Sequence, residues 1–101
     1  MQFMVLFSLN PGKAQTPPAE TLLEAEFEAV RGLYMDGLIR QLWLRSDGSG
    51  AVAIVEDASA EAAAGKLGAL PMVRAGVLHA PAIVPLSPYW GFAPRMQQRG
   101  G

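Results

Sequence analysis

The run from Met1 to Leu9 (MQFMVLFSL) carries apolar side chains on both of its extended faces. Alternation sends Phe3, Val5, Phe7 and Leu9 to one side and Met4 and Leu6 to the other. A strand of this kind must be covered above and below. That requirement restricts the fold more than anything else in the chain. The run lacks a basic start and a small-residue cleavage site, and it is too short to span a bilayer. The expectation is a strand of a soluble, cytoplasmic protein with no membrane partner.

The remaining elements follow in order. Asn10-Pro11-Gly12 breaks the strand. Thr16 is placed to cap a helix that starts at Pro17 and runs to about Met35. Asp36-Gly37 ends it. Leu38 to Arg45 is a second strand, with Ile39, Gln41, Trp43 and Arg45 expected on one face. Ser46-Asp47-Gly48-Ser49-Gly50 is turn chemistry, so Ala51 to Glu56 should return antiparallel as a hairpin. Ser59 can cap a second helix, Ala60 to about Leu70, with a stripe of Ala60, Ala63, Ala64 and Leu67, and Pro71 stops it. Val77 to Leu86 is a fourth strand. Its Pro81 and Pro85 place it at a sheet edge.

The order βαββαβ defines a ferredoxin-like α+β plait, an antiparallel sheet with both helices on one face. Residues 1–88 form this single domain. Residues 89–101 are a tail holding Tyr89, Trp90 and Phe92 among Pro and Gly. Two helices cover one side of the sheet. The other side, an apolar face of about 500 Å² or more, would be unusual on a monomer. The sequence therefore predicts a homodimer or higher homo-oligomer in which two sheets pack into a barrel-like core. The aromatic tail is expected to reach across the same contact.

Composition removes several functions. The formal net charge of −1 leaves no basic footprint for nucleic acid. There is no cysteine, hence no thiolate nucleophile and no Cys-ligated zinc. His79 is the only histidine, and a lone imidazole is a poor metal site. None of the five serines sits in a G-x-S-x-G elbow. No glycine pattern forms a phosphate cradle, and no flavin or haem signature is present, so no cofactor and no metal are expected.

Glu26 is the leading catalytic candidate. Leu23, Phe27, Val30 and Tyr34 fall on one face of the first helix. The residues three and four positions from Glu26 are Leu22, Leu23, Ala29 and Val30, all apolar. A carboxylate drawn toward a core has its charged form disfavoured, and such a group is a candidate proton shuttle. The bland alternative is a stem that bends to the rim, or a hydrogen bond to a strand residue such as Arg40. Gln41, Trp43 and Arg45 are the candidate substrate-binding residues: an amide to orient, an aromatic wall, and a guanidinium for a carboxylate. Against this, aromatics dominate cores and interfaces, and Arg45 is equally a solvated strand end. For His79, surface or interface placement is commoner than catalysis.

The chain resembles the muconolactone delta-isomerase-like family. The matching elements are MQFMVLF, Glu26 on the first helix, Arg40 with the Leu42-Trp43 pair, Leu70-Pro71-Met72, and Val84-Pro85-Leu86, spread over roughly residues 1–88. The resemblance implies an oligomer of dimeric α+β barrels with a small-molecule pocket between helices and sheet. It also implies a cofactor-free isomerase that moves a proton on an unsaturated lactone in aromatic catabolism, and the family glutamate aligns with Glu26. The family's basic residue after the helix-ending glycine is Leu38 here, and its histidine before Leu-Trp is Gln41. These departures point to another carbonyl-activated substrate or to a binding-only paralogue. By analogy of fold, a cofactor-independent monooxygenase or cyclase is a third reading.

Overall fold

The computed structural model describes residues 1–14 and 17–92. Four strands, β1 (Gln2–Ser8), β2 (Ile39–Leu44), β3 (Gly50–Glu56) and β4 (Ala82–Leu86), form one antiparallel sheet in the order β2-β3-β1-β4. The helices are a short turn α1 (Pro11–Ala14), the long α2 (Glu20–Met35), α3 (Ala60–Gly68) and a second short turn α4 (Pro71–Arg74). This is the ferredoxin-like α+β plait that the element order predicts.

Phe3, Val5, Ala53, Val55, Ala63 and Leu67 are fully buried and fix the core between the sheet and the helices. The register explains why. Phe3 pairs with Val55, Val5 with Ala53 and Phe7 with Ala51, so one face of β1 and β3 is turned as a unit toward the helices. Small alanines on β3 make room for the phenylalanines of β1. α2 packs on β2 and α4, and α3 packs on β4 and α4.

Helix ends are set by local chemistry. α2 begins at Glu20 with Ala19 extended at its N-cap, not at Pro17. Pro18 disfavours helical backbone at the residue before it, which delays the start. Thr16 lies outside the described residues. The other end is a Schellman closure. Gly37, at φ 85°, donates to the Tyr34 carbonyl and Leu38 donates to the Leu33 carbonyl. Ser59 caps α3, its side chain accepting from the Ala62 N–H at 3.0 Å. Pro71 follows the end of α3 but also starts α4, where proline suits the first turn.

Two expectations about strands need correction. β4 covers Ala82–Leu86 only. Before it, Leu78 makes an isolated bridge to Leu9 and the exposed His79 donates its backbone N–H to the Ser8 carbonyl. Pro81, without an N–H, separates these contacts from the strand. β4 is nonetheless an edge strand, as its prolines require. The second correction concerns β2. Ile39 pairs with Val55, but Gln41 pairs with Ile54, so Arg40 is an extra residue in a β-bulge. Ile39 therefore faces the helices while Gln41 and Trp43 turn to the opposite face with Ile54 and Val52. Leu42 and Leu44 take the helix side with Ala53 and Ala51.

The sheet face away from the helices carries Met4, Leu6, Val52, Ile54 and Trp43, none of them fully covered within the chain. Beyond β4, Tyr89 stacks on Trp90 with ring centroids 5.9 Å apart and meets Phe92 edge-on at 4.8 Å. All three rings are exposed.

Candidate functional site

A cavity of about 740 Å³ lies between α2 and the sheet, at the end where β1 finishes and β3 begins. α2 contributes Glu26, Phe27, Val30 and Tyr34. β2 contributes Ile39, Leu42 and Leu44. Phe7, Leu70, Met72 and Leu78 complete the inner wall. The walls are nearly all apolar. Along β2 they remain open: Phe27 is 55% exposed, Tyr34 61% and Leu44 85%. The α2 stripe expected to bury itself thus divides. Ala29, Val30 and Leu33 pack on the core, while Phe27 and Tyr34 form one lip of the cavity.

Glu26 is the one buried polar residue among those described, at 8% exposure, and it lines this cavity. Its Oε1 accepts a hydrogen bond from the Met72 backbone N–H at 2.9 Å. Met72 is the second residue of α4. Leu70 at the N-cap of that helix has no side-chain acceptor, and Glu26 supplies one from α2. The carboxylate is thereby fixed in direction, and the bond holds α2 and α4 together across the cavity. Its partner is this amide, not Arg40, whose Nε donates to the Gly37 carbonyl at 2.7 Å.

Arg45 stands at the sheet end of the cavity. Its Nη1 donates to Ser8 Oγ at 3.1 Å and to the Phe7 carbonyl at 3.4 Å. These bonds anchor one corner of the guanidinium. Arg31 also borders the cavity, but it pairs with Glu28 at 2.9 Å on the exposed side of α2.

Of the four residues singled out from sequence, the structure brings Glu26 and Arg45 to one cavity. Gln41 and Trp43 do not line it, because the Arg40 bulge turns them to the far face. The sequence reading overlooked Leu42 and Leu44, which occupy the wall positions instead. Their two-residue spacing was a usable signal, masked by apolar residues on both phases of the strand. The Met72 amide had no signal, since the contact spans 46 residues and involves backbone. His79 stays exposed and apart from the cavity.

No protein-family model matches the chain and no curated protein matches it. Fold comparison defines its class by architecture: an α+β chain with the fold of muconolactone isomerase. Muconolactone isomerase superposes with a TM-score of 0.70 at 19% identity, covering 95% of this chain and 98% of that one. The 5-chloro-2-hydroxyhydroquinone dehydrochlorinase TftG of Burkholderia phenoliruptrix AC1100, in complex with 2,5-dihydroxybenzoquinone, superposes with a TM-score of 0.62 at 16% identity, covering 86% and 94%. At these identities the likeness is one of fold. Among the described residues, no helix is long and apolar enough to cross a membrane and no group of three or more acidic or histidine side chains is placed to hold a metal ion.

Proposed function

We propose that this protein is a small-molecule enzyme that transfers a proton on a carbonyl-activated substrate, with Glu26 as the acid–base group and no cofactor. The observation that carries this reading is a buried carboxylate on the wall of an apolar cavity that also presents one anchored cation, Arg45. In the reaction, Glu26 removes a proton from carbon next to a carbonyl, and the electron pair moves onto the carbonyl oxygen. The guanidinium of Arg45 stabilises the resulting enolate. Glu26 returns its proton at another carbon of the conjugated system, giving an isomer. The bond from the Met72 amide keeps the carboxylate aimed through both steps. The names of the two structural neighbours, a lactone isomerase and a dehydrochlorinase bound to a quinone, support a carbonyl conjugated to a ring as the reacting group. Isomerisation of a lactone carried on a larger apolar body, in aromatic catabolism, is the specific form of this proposal.

The assembly belongs to the same proposal. The face bearing Met4, Leu6, Val52, Ile54 and Trp43 pairs with the same face of a second copy, and the Tyr89–Trp90–Phe92 cluster anchors the contact. In this arrangement Trp43 serves packing.

Deuterium uptake tests the chemistry. With a conjugated lactone or tetralone in heavy water, the wild type should accelerate exchange at the acidic carbon, and Glu26→Gln should abolish the acceleration. Equal rates in the two proteins would remove the mechanism. A second reading, a ligand-binding module without catalysis, draws support from the cap that Glu26 provides to α4. Ligand binding with no exchange above background would favour it.

A further inference from the structure

We propose that the ligand of this cavity is an anion with a largely apolar body the size of two fused rings, held by Arg45 at its charged end. This rests on the reading of the cavity as the substrate site and adds the substrate class. Three observations carry it. The cavity, about 740 Å³, falls in the upper part of the range of about 300–1,000 Å³ typical of drug-sized ligands, well beyond the needs of a single small ring. Its walls offer aliphatic and aromatic contact from Phe27, Val30, Tyr34, Leu42 and Leu44, and few groups that could pair with hydroxyls distributed around a ring. A highly oxygenated small ring would leave its polar atoms unpaired there, which binding does not tolerate.

The third observation is charge. Arg31 is engaged with Glu28 on the exposed side of α2, so Arg45 is the cation held in place at the cavity wall. Ser8 and the Phe7 carbonyl occupy one corner of its guanidinium, and in the proposed complex its remaining N–H groups go to a carboxylate, phenolate or enolate. Glu26 repels an anionic end, so the charged group lies at Arg45 and the apolar body spans the space toward Glu26. The amide of Gln41 and the indole of Trp43, which would recognise a small polar ring, stand on the other face.

Calorimetric titration of the full chain with naphthoate, naphthol and benzoate tests the inference. Naphthoate should bind about 30-fold more tightly than benzoate, the gain expected from burying a second ring. Arg45→Met should weaken naphthoate by about tenfold and leave naphthol unchanged, the neutral ligand reporting that the cavity is intact. Equal affinity for naphthoate and benzoate would overturn the size argument. An unchanged preference for naphthoate over naphthol in Arg45→Met would overturn the charge argument. Failure of both naphthalene compounds to bind would also overturn the proposal. Glu26→Gln should still bind naphthoate. Loss of exchange chemistry in that variant bears on catalysis, and the ligand series bears on substrate class, so the two proposals fail separately.

Discussion

Oε1 of Glu26 and the backbone N–H of Met72 are 2.9 Å apart, although 46 residues separate them in sequence. This bond gives the carboxylate a structural task beside the proposed chemical one, and substitutions can divide the two. Glutamine retains a carbonyl oxygen for the Met72 amide and discards the ionisable group. Glu26→Gln should therefore unfold within a few degrees of the wild type while losing proton exchange. Glu26→Ala leaves the α4 amide without its acceptor and should cost about 1–2 kcal/mol in urea denaturation. Equal stability of the alanine variant would show that the cap contributes nothing.

Gly50 offers a test of the cavity's frame. It has φ 151°, and a Cβ built there would overlap the Phe7 carbonyl oxygen. The neighbour is backbone in a paired strand and cannot step aside. Gly50→Ala should destabilise the protein by more than about 2 kcal/mol. Because the Gly50 carbonyl also accepts from the Arg45 N–H at 2.8 Å, naphthoate affinity should fall with it. A folded alanine variant with wild-type affinity would contradict this account.

Acid sensitivity follows from two aspartates. The Ala58 N–H and then Lys66, whose Nζ lies 3.0 Å from Oδ2, hold the Asp57 carboxyl below the usual aspartate range. The Ser49 hydroxyl and N–H do the same for Asp47. A carboxyl with a lowered folded pKa stabilises the fold when ionised. That contribution is present above the unfolded value of about 3.9 and disappears as pH falls through the folded value. Denaturation midpoints measured from about pH 6 to pH 2 should drop on the acid side. The drop should be shallower in Asp57→Asn and in Asp47→Asn, and an identical acid limb in both variants would reject the assignment.

The proposed assembly predicts a response to charge on the open face. Ile54 sits in the middle of that face, opposite Met4 on one side and Gln41 on the other. Ile54→Asp places a carboxylate where two sheets would meet. Sedimentation should show a dimer or larger particle for the wild type and a monomer for the variant, with the far-ultraviolet dichroism of the fold retained. A monomeric wild type would exclude the pairing.

Much of the architecture was legible because it rests on local signals. The two-sided apolar pattern of β1, the Asp47-Gly48 turn, the Ser59 cap and the glycine at position 37 each act within a few residues. The position of Glu26 was legible for the same reason, since helical spacing alone turns it inward. The orientation of β2 was not. A bulge depends on how two strands settle against each other, and Leu42, Trp43 and Leu44 satisfy an apolar surface in either phase. α2 starts later than Pro17 as a helix opener implies, because Pro18 disfavours helical backbone at the residue before it. α4 and its tie to Glu26 arise from tertiary packing, which spacing along the chain does not encode.

Arg40, as the inserted residue of β2, lets Ile39 and Gln41, two apart in sequence, lie on opposite faces of the sheet. Removing it would leave Ile39 opposite Val55 and Gln41 opposite Ile54 as consecutive residues of a regular ladder, so Leu42 and Leu44 would keep the hollow beneath α2 and Gln41 and Trp43 the far face. The sidedness of this strand thus belongs to its pairing with β3 and to the Asp47-Gly48 turn, so a single-codon deletion at the bulge would straighten the ribbon and spare both surfaces.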